Sequence, residues 1–71
     1  MMNIETDWRP EIGARVLLTD KHPYYGGRTG TVTRREKWMG VPAIAVKLDT
    51  GETPGVTRPE QIKVLNNAKN T

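Results

Sequence analysis

The chain has 71 residues and a mass of 8.0 kDa, which leaves room for one small domain. It has no cysteine and a single histidine, His22, and this composition excludes a disulfide framework, a thiolate metal site and a histidine zinc site. No apolar run approaches the roughly 20 residues that span a bilayer, and residues 1–10 lack the apolar stretch of a signal peptide. We therefore expect a cytoplasmic protein with no membrane partner, no metal and no cofactor.

The predicted elements begin after an irregular leader, residues 1–11, in which Trp8 is expected to cover the open end of a small core. Beyond the leader, apolar residues recur at every second position, which is typical of strands. Residues 13–19 form the first predicted strand. Pro23–Gly27 has the composition of a loop, and residues 29–34, rich in β-branched side chains, form the second strand.

The second half of the chain starts with a predicted polar loop, residues 35–42, followed by the clearest alternation of the sequence in residues 43–49. The segment Asp49–Glu52 predicts a tight hairpin turn, because Gly51 can adopt the left-handed backbone conformation. The strand expected to return, residues 52–56, contains a proline and a glycine that limit its pairing.

The predicted elements end with a single 3₁₀ turn at Arg58–Gln61, a last short strand at residues 62–65 and a polar tail at residues 66–71. Five short strands separated by Gly and Pro predict an all-β barrel or sandwich, and at this size a small barrel is favoured, because closing the sheet hides its edges. The expected core is small, which leaves self-association into a homo-oligomer open. Its predicted members are Ile12, Val16, Leu18, Val32, Ile44, Val46, Leu48, Val56, Ile62 and Val64.

One stretch resembles the KOW motif of SH3-like barrels in ribosomal proteins and transcription-elongation factors. Its residues are Ile12-Gly13-Ala14-Arg15-Val16 and, further on, Tyr25-Gly26-Gly27-Arg28-Thr29-Gly30-Thr31-Val32. Gly30 resembles the characteristic glycine of the motif, and Val32 resembles the core valine that follows it. The run from Val46 to Ile62 is similar to the second half of such barrels, so the resemblance covers about residues 11–65. The resemblance implies a single five-stranded SH3-like barrel at residues 12–65 and a role in binding RNA or RNA-associated proteins.

The distribution of charge gives independent but limited support for nucleic-acid binding. Residues 1–20 hold two Lys and Arg against four Asp and Glu, whereas residues 21–49 hold six against two. Clustered cations are expected of phosphate contacts, and aromatic side chains beside them suit unpaired bases. A solvated basic surface would explain the same charge pattern equally well. The predicted contact residues on one loop face are Lys21, Tyr24, Tyr25, Arg28, Arg34, Arg35, Lys37, Trp38 and Lys47.

The sequence also bears on two other functions, a protein adaptor and an enzyme. SH3-like barrels also dock proteins through aromatic-lined grooves, so an assembly adaptor with a protein partner is the alternative. An enzyme is not expected, because His22 has no predictable Asp or Ser partner and paired carboxylates at useful spacing are absent from the sequence. The Gly-rich segment 26–30 also lacks the Lys-Ser/Thr ending of a nucleotide-binding loop.

Overall fold

The computed structural model describes residues 8–66, and these residues form one antiparallel sheet with almost no helix. The prediction of an all-β protein is therefore confirmed. The strands follow the spatial order β3-β2-β1-β4, and a short 3₁₀ turn precedes the last of them. No helix in this part of the chain is long and apolar enough to cross a membrane. The elements are β1 (Arg15–Leu18), β2 (Thr29–Trp38), β3 (Val41–Leu48), the 3₁₀ turn (Pro59–Gln61) and β4 (Ile62–Asn66).

The core lies on one face of the sheet, where alternate residues of the central strands meet. Six of its seven buried members were predicted, and Trp8 packs against them as expected, together with Tyr25 and Ile62. Three predicted core residues, Ile12, Val56 and Val64, lie outside this cluster; Val56 is half-buried in a segment that is not a strand. Ile12 is 57% exposed because it precedes the sheet, and Val64 is exposed because it lies on the edge strand β4. The core cluster is Ala14, Val16, Leu18, Val32, Ile44, Val46 and Leu48.

The prediction of a polar loop at residues 35–42 is wrong, because β2 continues through these charged residues to Trp38. β2 and β3 are joined by a two-residue turn, Met39-Gly40, in which both residues have positive φ, 53° and 81°. Two consecutive positive φ values define the turn that matches the right-handed twist of paired strands. The result is a long hairpin whose ladder extends from Gly30 opposite Leu48 to Trp38 opposite Val41.

The five-stranded closed barrel is not confirmed, because the expected return strand, residues 52–56, is not a strand. Only Thr57 pairs with the outer edge of β3, through a single bridge to Ile44. Pro54 has no N–H to donate to a ladder, which explains part of the interruption. The described residues therefore form an open four-stranded sheet. The predicted 3₁₀ turn and last strand are both confirmed.

Gly30 allows β2 and β3 to approach each other closely at the start of their ladder. A Cβ atom at this position would lie 2.6 Å from the carbonyl oxygen of Lys47 and 3.0 Å from the Cα of Leu48.

Further along β2, the register shifts between Val32 and Arg34, so that one residue, Thr33, is extra in the ladder. Such a bulge bends the strand locally. Of the predicted leader and tail, residues 1–7 and 67–71 lie outside the described residues.

Candidate nucleic-acid interface

Beyond the bulge, the two paired strands form a hairpin arm, defined here as residues 34–45. The arm is built from a regular ladder in which Arg34 lies opposite Ala45 and Trp38 lies opposite Val41. Since cross-strand partners share a face, Arg34, Glu36 and Trp38 lie on one face and Arg35 and Lys37 on the other. The arm therefore brings three cations and one aromatic ring together within five consecutive residues.

The tip of the arm is apolar and exposed. Trp38 is 52% exposed and Met39, in the turn, is 84% exposed, while Val41 beside them is also exposed. Sequence reasoning singled out Trp38 but missed Met39 and Val41. The available signal was the Met39-Gly40 dipeptide between two strand-forming residues, because glycine at the second position favours a two-residue hairpin turn.

A second group of predicted contact residues lies in the loop between β1 and β2. Tyr24 is 82% exposed there, whereas Tyr25 is half-buried against the core. The Nδ1 atom of His22 accepts the backbone N–H groups of Tyr24 and Tyr25 at 3.3 and 3.2 Å, which holds the loop in a tight turn. The guanidinium of Arg28 lies 5.4 Å from the ring centre of Tyr25. Lys21 completes this group and is exposed.

The structure does not bring the predicted contact residues together on one loop face. Arg28 comes immediately before β2 and Trp38 ends it, and the ten residues of β2 span roughly 30 Å at about 3.3 Å per residue. The loop group and the arm group therefore lie at opposite ends of β2. Lys47 lies on neither the arm nor the loop, since it is the last residue but one of β3, opposite Thr31.

Ion pairs within the protein already involve several of the predicted cations. Arg28 contacts Glu52 at 3.2 Å, and Arg34 contacts Glu36 at 2.8 Å. By contrast, three lysines of the predicted set make no ion pair with any residue between 8 and 66. An unpaired ammonium can bind a phosphate without first giving up a protein partner. These lysines are Lys21, Lys37 and Lys47.

The strongest electrostatic feature lies outside the predicted set, on the sheet face opposite the core. Arg15 donates two hydrogen bonds of 2.7 Å each to the carboxylate of Asp49. The hydroxyl of Thr29 donates a third at 2.6 Å. The bonds from Arg15, and after them the bond from Thr29, hold the pKa of Asp49 well below its ordinary value. The same contact raises the pKa of Arg15.

Glu52 is a second carboxylate whose ionised form is stabilised. A hydrogen bond from the Thr50 hydroxyl is the largest cause of its lowered pKa, and Arg28 contributes less. Arg28 is thereby held between the ring of Tyr25 and the turn after β3. We infer that the loop group is organised mainly by contacts within the protein, whereas Lys37 and Trp38 on the arm face solvent.

Comparison with known proteins gives no relative from which a role could be transferred. No family model, curated protein or solved structure matches this chain. The KOW-type resemblance therefore stays a prediction. Among residues 8–66, no three His, Asp or Glu side chains lie close enough together to hold a metal ion.

Proposed function

We propose that the protein is a small nucleic-acid-binding module, that it prefers RNA to DNA, and that the hairpin arm is its contact surface. The observation that carries this proposal is the exposed end of a regular hairpin, where the half-exposed ring of Trp38 lies on the same face as Arg34. Lys37, which makes no ion pair with any described residue, lies on the other face of the same end. A cation supplies attraction to phosphates, and an exposed ring supplies a stacking surface for a base. Stacking requires unpaired bases, which are more common in RNA, and this favours RNA as the ligand.

The other two cations of the arm support the same role. Arg35 lies on the same face as Lys37, and Arg34 lies on the opposite face with its side chain mostly exposed. Arg34 would exchange Glu36 for a phosphate on binding. An exposed ion pair of this kind contributes only about 0–1 kcal/mol, so its loss is a small cost.

We also propose that the sheet belongs to an SH3-like barrel of the KOW type. Two features support this assignment. A Cβ atom at Gly30 would lie within 3.0 Å of the backbone of β3, which is a geometric reason for a glycine at that position of the motif. The chain also passes from the outer edge of β3, at Thr57, through the 3₁₀ turn to β4 at the opposite edge of the sheet. A connection between the two edges is what closing the sheet requires.

Fluorescence anisotropy with a labelled single-stranded RNA, titrated at several salt concentrations, tests the proposed function. Lys37→Ala is expected to weaken binding to all sequences and to reduce the slope of log affinity against log salt by about 0.7, the value for one contact with a single strand. Lys63→Ala is the matched control, because Lys63 is an exposed lysine on β4, outside the arm. Equal effects of the two substitutions would reduce the binding to general charge attraction and contradict a specific role for the arm.

A second pair of variants tests the rest of the arm. Arg34→Ala combined with Arg35→Ala should also weaken binding and flatten its salt dependence, while Trp38→Ala should weaken binding with little change in salt slope. No binding of single-stranded RNA or duplex DNA at low salt would refute the proposed function.

The exposed tip favours a second candidate, an adaptor that docks a protein partner. Trp38, Met39 and Val41 form a continuous apolar end to the arm, and exposed aromatic and methionine side chains are frequent at protein interfaces. Mass spectrometry of native material purified with and without nuclease separates the candidates. Partners that remain after nuclease treatment and at high salt would favour the adaptor.

A further inference from the structure

A cleft of about 420 Å³ lies between the hairpin arm and the segment 53–56, which runs beside the outer edge of β3. This volume falls within the range of roughly 300–1,000 Å³ that small-ligand sites occupy. Its walls combine the Arg34–Glu36 ion pair with apolar atoms of Ala45, Pro54 and Val56. The cleft thus offers flat apolar surface beside charged and hydrogen-bonding groups.

At the floor of the cleft, Val46 presents a backbone donor and acceptor without a backbone partner among the described residues. Val32, which lies opposite Val46, directs its own N–H and C=O toward β1, where they bond Ala14 and Gly13. The two strands therefore exchange no hydrogen bond at this pair, and the backbone groups of Val46 point away from β2. Buried backbone groups are almost always paired, so this pair of groups favours a bound polar partner.

Among the described residues of the β3 edge, only Val46 has both its N–H and its C=O unpaired. Ile44 exchanges both of its edge hydrogen bonds with Thr57, and the N–H of Leu48 is bonded to Glu52. An extended peptide adds to a sheet edge through bonds repeated at every second residue, so this edge cannot accept one. It can accept a single planar group that carries one donor next to one acceptor.

Segment 53–56 makes no hydrogen bond with other described residues and is held only at its ends, by Glu52 and Thr57. Val46 is 1% exposed, so a ligand reaches its backbone groups only when this segment moves outward. Gly55 gives the segment the backbone freedom that such a movement needs.

We propose that this cleft binds a single unpaired nucleobase, with its hydrogen-bonding edge against the backbone of Val46 and its flat face against Pro54 and Val56. The inference rests on the proposed nucleic-acid function and makes it more specific. The donor-acceptor edge of a base matches the single open position of β3. Arg34, which lines the cleft, would bind the phosphate of the same nucleotide.

The test compares four homopolymeric RNA tetranucleotides, one for each base, by anisotropy and by amide chemical shifts. Wild-type protein should distinguish the tetranucleotides by about tenfold in affinity, the discrimination typical of a good base contact, and the amide signal of Val46 should move. Ala45→Leu fills the cleft and should abolish this discrimination, so that all four tetranucleotides bind with equal affinity. Ala45→Ser leaves the cleft open and is the matched control. Circular dichroism checks that both variants are folded.

The outcomes separate the cleft from the arm. Equal binding of all four tetranucleotides, unchanged in Ala45→Leu, overturns the cleft inference and leaves the arm proposal standing. Weaker binding of all four tetranucleotides in Lys37→Ala combined with Trp38→Ala, with their affinity ratio kept, and loss of that ratio in Ala45→Leu, support both. Absence of RNA binding in the wild type overturns both proposals together. A shift of the Val46 amide with free nucleosides also supports the cleft, because it does not depend on the arm.

Discussion

Substitution of Gly30 by alanine gives the sharpest test of how this sheet is packed. The added Cβ would lie 2.6 Å from the Lys47 carbonyl oxygen, 2.8 Å from Val46 Cγ1 and 3.0 Å from Leu48 Cα. The Val46 methyl group can rotate away, but the other two atoms belong to the backbone of β3. Relief of the contact therefore requires β3 to move away from β2, which strains the ladder that both strands share.

The size of the effect follows from two opposing contributions. Overpacking a well-packed site costs typically about 1–3 kcal/mol. Replacing glycine by alanine also restricts the unfolded chain, which returns about 0.4–1 kcal/mol. We expect a net loss of roughly 1–2 kcal/mol in the free energy of unfolding, or a fall of about 10 °C in Tm for a domain of this size. Gly30→Val adds two further methyl groups at the same place and should prevent folding.

Urea and thermal unfolding followed by circular dichroism measure this loss, and Gly55→Ala is the matched control. A Cβ atom added at Gly55 would meet nothing within 4 Å, and this residue has no positive φ, so alanine there should be neutral or slightly stabilising. If Gly30→Ala and Gly55→Ala have the same stability, β2 and β3 do not approach as closely as these distances require, and the reasoning is refuted.

Three further predictions concern the turn, the solvent-side ion pair and the core. Met39→Asn should raise stability by about 0.5–1 kcal/mol in urea unfolding, because asparagine tolerates the positive φ of this turn, and no gain would argue against the turn geometry. Asp49 has a lowered pKa in the folded state, so its contribution to folding stability is present above the ordinary Asp pKa of about 3.9 and is lost as pH falls. Asp49→Asn should therefore flatten the fall of Tm below about pH 5. An unchanged dependence of Tm on pH in that range would contradict the Arg15 contact. Leu18→Ala should cost about 2–5 kcal/mol, whereas Ile12→Ala should change stability by less than about 0.5 kcal/mol; similar losses would place Ile12 in the core after all.

The parts of the fold that could be predicted are those where one face is buried. Ile44, Val46 and Leu48 alternate with exposed or half-buried residues, so both the strand and its core face could be derived from the sequence. The 3₁₀ turn was predictable as well, because Pro59 suits the first position of a short helical turn.

The hairpin arm could not be predicted in the same way, because much of it is exposed on both faces. The run from Arg34 to Trp38 contains four charged residues and shows no alternation, although its backbone pairs regularly with β3. The fifth strand was predicted because residues 52–56 follow a good hairpin turn. In the structure these residues do not pair with β3, and only the next residue, Thr57, forms a bridge to Ile44. The local sequence pattern predicts neither the regular pairing of the exposed arm nor the lack of pairing of residues 52–56.

The candidate site was only partly predictable for a related reason. Lys37 and Trp38 are neighbours in the chain, and the structure keeps them close at the exposed end of the arm. Arg28 is also near them in sequence, but β2 carries it to the far end of the sheet. Its pairing with Glu52 joins residues 24 positions apart, and no pattern in the sequence indicates this partner.

The contacts of Arg15 with Thr31 and Asp49, and of Thr29 with Asp49, fasten β1, β2 and the end of β3 from the solvent side. These strands are therefore stabilised on both faces of the sheet, by apolar packing on one face and by these hydrogen bonds on the other. Past the bulge at Thr33, residues 34, 35 and 37–41 are exposed, and Arg9 donates a 2.9 Å hydrogen bond to the carbonyl oxygen of Glu36. Amide protons of the arm should therefore exchange with solvent faster than those of β1, because the arm has the lower local stability. A ligand bound to the arm would slow that exchange.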